Sequence, residues 1–200
     1  MASHQQTSGG RADVRRLFVF AGFVLAIGSH VAPLKATDAR SSRDIVTVRE
    51  ERGIYFVDAR FDLSATRQVV RAVLTDYNQI PRFMPGVMRS HVLDQIPGRT
   101  IVEQEAVSRF MMFSKRVHIV LEITEGTDVL TFRDQCGRSF ARYEGRWQLS
   151  DGDRLTAVRY ELVAQPSFEV PDFVLKRLLK RDAGHMIEGL RREIATRSKR

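Results

Sequence analysis

The chain has 200 residues, 43% of them apolar and 28% charged, with a formal net charge of +8. That composition excludes a disordered polypeptide and suits one globular domain with an extension. The single cysteine, Cys136, excludes an internal disulfide and a cysteine-based metal site.

Residues 1–10 are polar and rich in Ser, Gln and Gly, and are expected to be disordered. Arg11, Arg15 and Arg16 then precede the apolar run Leu17–Ile27. A basic stretch before a short apolar stretch is the layout of a secretory signal. The run is short for a spanning helix, which needs roughly 20 apolar residues. Ala26-Ile27-Gly28 and Thr37-Asp38-Ala39 both offer small residues at cleavage spacing. Residues 1–41 are therefore expected to be a disordered start plus a signal peptide. An uncleaved N-terminal anchor is the alternative. Both place the folded part, residues 42–200, outside the cytoplasm, periplasmic or secreted.

In the folded part, Ile54–Leu63 alternates Tyr55, Val57, Ala59, Phe61 and Leu63 on one face, which predicts a first strand. Ser64 is a candidate N-cap for a short amphipathic helix over Ala65–Thr75 that buries Val69, Val70, Val73 and Leu74. Asp76–Pro85 contains two prolines and predicts a short helical turn and a loop, with Ile80, Phe83 and Met84 packed against something. Six strands follow, near Val87–Gln95, Arg99–Met112, Lys115–Glu125, Val129–Asp134, Arg138–Leu149 and Leu155–Gln165. Turn signals at Pro97-Gly98, Gly126-Thr127-Asp128, Gly137 and Asp151-Gly152-Asp153 separate them. Their faces are cleanly divided. Val117, Ile119, Leu121 and Ile123 oppose Arg116, His118 and Glu122, and Tyr143, Trp147 and Leu149 oppose Arg142, Glu144, Arg146 and Gln148. One dry and one wet face mark a half-buried antiparallel sheet. Pro171 opens a last helix running to about Thr196, with an apolar stripe that includes Phe173, Val174, Leu178, Met186, Ile187 and Leu190. Gly184 and Gly189 within it mark close approach to the sheet or room for a ligand.

Strand, two short helices, six strands and one long helix make an α+β, helix-grip arrangement, a curved antiparallel sheet wrapped around the C-terminal helix. The chain resembles the START-like (SRPBCC) superfamily, which includes polyketide cyclases, plant pathogenesis-related lipid binders and coenzyme-Q-binding proteins. The resemblance is carried by Val73-Leu74-Thr75-Asp76-Tyr77, Ile80-Pro81-Arg82-Phe83-Met84-Pro85, Phe132-Arg133-Asp134, the run Ser139–Trp147, Tyr160-Glu161-Leu162, and Phe168 with Pro171. It spans roughly Val48 to Arg197 and implies a cavity between sheet and helix that takes hydrophobic molecules.

No HExxH, GxSxG, P-loop or GxGxxG pattern is present, and the five histidines are scattered. No catalytic residue, metal or cofactor is assigned. His185, beside the stripe of the last helix, is the one nameable candidate for a base. The candidate ligand-binding residues are Phe83 and Met84 in the proline loop, Gln104, Phe110 and Met112 on one strand, Tyr143 and Tyr160 on later strands, and Phe173 and Met186 on the helix. Methionine and phenylalanine line adaptable apolar sites. Gln104 and the two tyrosines supply the few polar groups on the dry face, to be satisfied by a ligand or by one another. The run Phe110–Phe113 cannot all face one way, so part of it is exposed at a cavity mouth or a membrane. The leading expectation is a non-enzymatic carrier or sensor of a lipid or other hydrophobic small molecule, with possible membrane-surface contact. A cyclase/dehydratase-like enzyme and a membrane-associated interaction module with a filled core are the alternatives. Nucleic acid is not an expected partner, because the arginines do not interleave with exposed aromatics.

Overall fold

The structure, a computed structural model, describes residues 44–110, 113–152 and 155–198; of Ser108, Phe110 and Phe113 it describes the backbone only. The N-terminal segment read as a targeting signal, and Met112, lie outside the described residues. Eight strands form one antiparallel sheet: β1 Ile45–Glu51, β2 Ile54–Leu63, β3 Val87–Ile96, β4 Arg99–Phe110, β5 Phe113–Glu125, β6 Val129–Asp134, β7 Phe140–Asp151 and β8 Thr156–Pro166. Their spatial order is β1-β2-β8-β7-β6-β5-β4-β3. Between β2 and β3 lie α1 (Arg67–Leu74), a single 3-10 turn (Tyr77–Gln79) and α2 (Ile80–Phe83), and α3 (Asp172–Arg197) closes the chain. This is the helix-grip fold, a curved sheet holding one long helix.

The register lines up the dry rows. Val57 pairs with Leu162, Ala59 with Tyr160 and Phe61 with Val158. Across the next ladder Gly145 meets Leu162, Trp147 meets Tyr160 and Leu149 meets Val158. Because side chains alternate with period two, each such pairing puts apolar groups of neighbouring strands on the same concave face. The wet face carries cross-strand ion pairs, including Arg133–Glu144 at 3.0 Å, Arg159–Asp58 at 2.7 Å and Arg99–Glu122 at 3.3 Å. These are solvated pairs and fix register more than they stabilise.

Two corrections follow from the strands and caps. A strand, β1, precedes the one expected first, joined to it by a tight turn in which Arg52 and Gly53 take φ of 54° and 79°. The chain reverses there because both central residues are left-handed, which a right-twisted hairpin needs. Helix α1 starts at Arg67 with Thr66 as its cap residue, not after Ser64. The segment before it is held in a turn, since the Ala65 N–H donates to the Leu63 carbonyl at 2.8 Å and Thr156 Oγ1 donates to the Ala65 carbonyl at 2.7 Å.

Helix α3 is clamped at its far end. Arg191 makes a two-pronged contact to Asp44 at 2.6 and 2.7 Å, and Arg197 reaches Asp76 at 2.7 Å. Its buried face, Ala183, Ile187, Leu190 and Ile194, joins the core formed by β2, β8 and α1. The first turns instead bury Val174, Leu175 and Leu178 beside Tyr55.

Candidate functional site

Core packing does not fill the space between sheet and helix. A cavity of about 550 Å³ remains, within the usual range for a small-molecule site. Its sheet wall continues the dry rows: Val117, Ile119, Leu121 and Ile123 from β5, Ala106 and Gln104 from β4, Leu130 and Phe132 from β6. The β7 and β8 side adds Phe140, Tyr143, Trp147, Tyr160 and Leu162, and α3 adds Leu178, Leu179, Ala183 and Met186.

The aromatic groups form a connected layer. Phe168 lies 6.3 Å from Phe140, Phe140 lies 4.7 Å from Tyr143, and Trp147 lies 4.5 Å from Tyr160, centroid to centroid. Phe132 stacks toward Tyr160 at 6.2 Å and covers its register partner Gly145. A Cβ at position 145 would land on that ring and on the Glu161 carbonyl, so glycine is what lets the phenylalanine lie flat across the strand.

The uncharged polar groups on the wall bond to protein. Gln104 Nε2 donates to Ser90 Oγ at 3.1 Å. The Tyr143 and Tyr160 hydroxyls are hydrogen-bonded to each other. Burial pushes Tyr143 up to about 12, and burial followed by the neighbouring Tyr143 raises Tyr160 as well. Both therefore stay protonated at neutral pH and act as hydrogen-bonding groups rather than bases. At another part of the wall the Tyr77 hydroxyl donates to Glu125 Oε1 at 2.8 Å, an oxygen that also accepts from Thr100 at 3.1 Å, while Arg71 reaches the second oxygen at 3.3 Å. This network ties α1 and the following turn to the end of β5.

The opening can be located from exposure. Pro85, Gly86, Arg109 and His185 line the cavity and also face solvent. The mouth thus lies between the α2–β3 loop, the β4–β5 hairpin and the middle of α3. The loop is bound to the hairpin by the Val107 N–H donating to the Gly86 carbonyl at 2.8 Å, and α3 is bound to it by Arg181 donating to the Arg109 carbonyl.

A family model matches residues 63–191 of this chain. The chain belongs to the polyketide cyclase / dehydrase and lipid transport family. Solved structures agree on the fold. A Thermus thermophilus protein is 20% identical with a TM-score of 0.62, covering 72% of this chain and 99% of that one. A STAR-related lipid transfer protein from Xanthomonas axonopodis is 18% identical with a TM-score of 0.58, covering 75% and 98%. A Streptomyces aromatase/cyclase is 13% identical with a TM-score of 0.62, covering 72% and 96%. No curated protein matches the sequence.

Of the ligand-binding residues expected from sequence, Met84, Gln104, Tyr143, Tyr160 and Met186 line this cavity together. Phe83 is buried in the adjoining core, and its carbonyl faces α3. Phe173 is a correction: it stands 66% exposed at the start of α3 and does not line the cavity. It sits about 140° around the helix from Leu178, which faces inward. Phe110 ends β4 opposite Phe113, with its side chain outside the description. The ligand set expected from sequence did not include Phe132, Phe140, Phe168, Tyr77 or Lys115, all of which line the cavity. The signal for Lys115 was its parity with Val117 and Ile119. His185 is exposed at the mouth. Among the described residues no cluster of His, Cys, Asp and Glu could hold a metal, and no helix is long and apolar enough to cross a membrane.

Proposed function

We propose that this chain binds a lipid or other hydrophobic small molecule in the cavity beneath α3 and carries or senses it without chemical turnover. The observation that carries this reading is an apolar cavity whose uncharged polar wall groups, Gln104 and the Tyr143–Tyr160 pair, are engaged with protein partners. A site of that kind binds through buried area, at roughly 25 cal/mol per Å². The Tyr143–Tyr160 pair is also what a cyclase-type reading would use, as a donor to a bound carbonyl. Such an enzyme needs a group titrating near neutrality beside the reacting atoms, and the raised tyrosines do not supply one. Native mass spectrometry of the purified protein tests the reading. A co-purified apolar molecule released unchanged supports it, and a mass change on incubation with a poly-β-keto thioester points to the cyclase alternative.

The basic-then-apolar stretch Arg11–Ile27 supports action outside the cytoplasm. Exposed Phe173 shares a solvent-facing strip of α3 with Arg177 and Lys180, a pairing suited to transient contact with an anionic membrane.

A further inference from the structure

One cation breaks the pattern of the cavity wall. Lys115 belongs to the inward row of β5: its register partner is Ser108, two residues along β4 from Ala106, and the next ladder pairs are Ala106–Val117 and Gln104–Ile119. A charged residue in an otherwise apolar row violates the binary pattern that built the sheet, and such violations concentrate at functional sites. Lys115 is half-buried, lines the cavity, and holds its ammonium 4.3 Å over the Phe168 ring. No carboxylate lies within ion-pair distance of its Nζ among the described residues. On the facing helix, Arg181 also lines the cavity and is held in place. Two of its nitrogens reach Asp182 at 2.8 and 3.1 Å, and a third reaches the Arg109 carbonyl. Three cations, Lys115, Arg181 and the more exposed Arg109, and one carboxylate, Asp182, already engaged by Arg181, therefore flank the mouth of an apolar chamber.

We propose that the ligand is an anionic amphiphile, with its apolar chain under α3 and a carboxylate or phosphate head at Lys115 and Arg181. The assignment rests on the reading of the cavity as a ligand site. A neutral chain filling the mouth would strip water from the Lys115 ammonium and return nothing. An anionic head restores the lost solvation with a charge-assisted hydrogen bond. The mouth then discriminates between head groups, while the chamber sets the length and bulk of the chain. Phe168 holds the lysine through its ring face and leaves the ammonium free to reach the head.

The chain carries a single tryptophan, Trp147, on the cavity wall, so its emission reports occupancy directly. The full-length protein is titrated with dodecanoate, dodecyl phosphate and dodecanol, followed by Trp147 fluorescence and by calorimetry. At least one anion should bind about tenfold more tightly than the alcohol, the size of one charge-assisted contact. Whichever anion leads identifies the head as carboxylate or phosphate. The preference should shrink toward unity in Lys115→Met and persist in Lys115→Arg, and it should weaken as salt rises. If dodecanol binds the wild-type protein as tightly as both anions, the anionic-head assignment is wrong and the cavity reading stands. If none of the three binds, both fall. The wild-type titrations decide the matter even if a variant misfolds, and Arg181→Gln offers a second route to the same loss.

Discussion

Gly189 of α3 passes so close to α2 that a Cβ at this position would fall on the carbonyl oxygen of Phe83, with Pro85 Cδ 3.4 Å away. The long helix is thus seated against the peptide backbone of the loop that borders the cavity mouth. Five residues earlier, Gly184 has nothing within 4 Å of where its Cβ would stand. Two glycines of one helix, both costly to helix formation, have opposite reasons to be there.

Gly189→Ala should therefore destabilise the protein by about 1–3 kcal/mol, the usual cost of overpacking against a backbone that cannot yield. Gly184→Ala should stabilise it by about 0.5–1 kcal/mol, the helix-propensity difference alone. Denaturant melts of the two variants beside the wild type measure both. Equal effects at the two positions would show that α3 does not sit on α2 as described.

Parity arguments read the fold well where a strand has one fully buried face. β2 and β8 alternate without a break, and their dry rows pair as the pattern required. β1 escaped because it is an edge strand with no fully buried residue, and its turn uses Arg52, a residue with no particular liking for φ above zero. The site was half legible for a similar reason. Inward strand residues such as Gln104, Tyr143 and Tyr160 announce themselves by period two. The angular position of Phe173 depended on which face of α3 meets the sheet, and that is settled by Val174, Leu175 and Leu178 against Tyr55. Lys115 was readable by the same period of two, but it was assigned to neither face of its strand.

All four tyrosines of the chain, Tyr55, Tyr77, Tyr143 and Tyr160, have their ionisation pushed upward, chiefly by burial. The unfolded chain gives up tyrosine protons near pH 10 while the folded chain retains them, so it is the unfolded state that binds fewer protons. Stability is then fully present below pH 10 and falls as pH rises from there toward 12. Absorbance of tyrosinate should appear together with unfolding, not ahead of it. Tyr143→Phe should make the decline shallower. A normal tyrosine titration near pH 10 in a protein that remains folded would contradict the packing of these rings.

Export is expected to remove or anchor the N-terminal segment, with cleavage after Gly28 or after Ala39. Expression of the full chain in a Gram-negative host, followed by fractionation and N-terminal mass analysis, should find the domain in the periplasm or membrane fraction. An intact protein in the cytosol, with Arg11–Ile27 still attached and soluble, would remove the export reading and leave the cavity untouched.

Met186 lines the cavity from α3, one helical turn beyond Asp182 and facing the sheet. It is partly buried, packed against the core on one side and bordering the cavity on the other. Met186→Trp inserts a larger ring into that space without requiring the backbone to move. Because the added bulk occupies void, stability should change by less than about 1.5 kcal/mol, the range of a tolerated apolar exchange. Affinity for a fluorescent fatty-acid or quinone probe should fall by tenfold or more, since each displaced methylene of the ligand forfeits about 0.8 kcal/mol of burial. A variant that keeps its melting behaviour and still binds the probe as the wild type does would place the ligand somewhere other than beneath α3. A variant that loses both would mean that Met186 supports the helix itself, and the volume now ascribed to a ligand would have to be reassigned to breathing of α3.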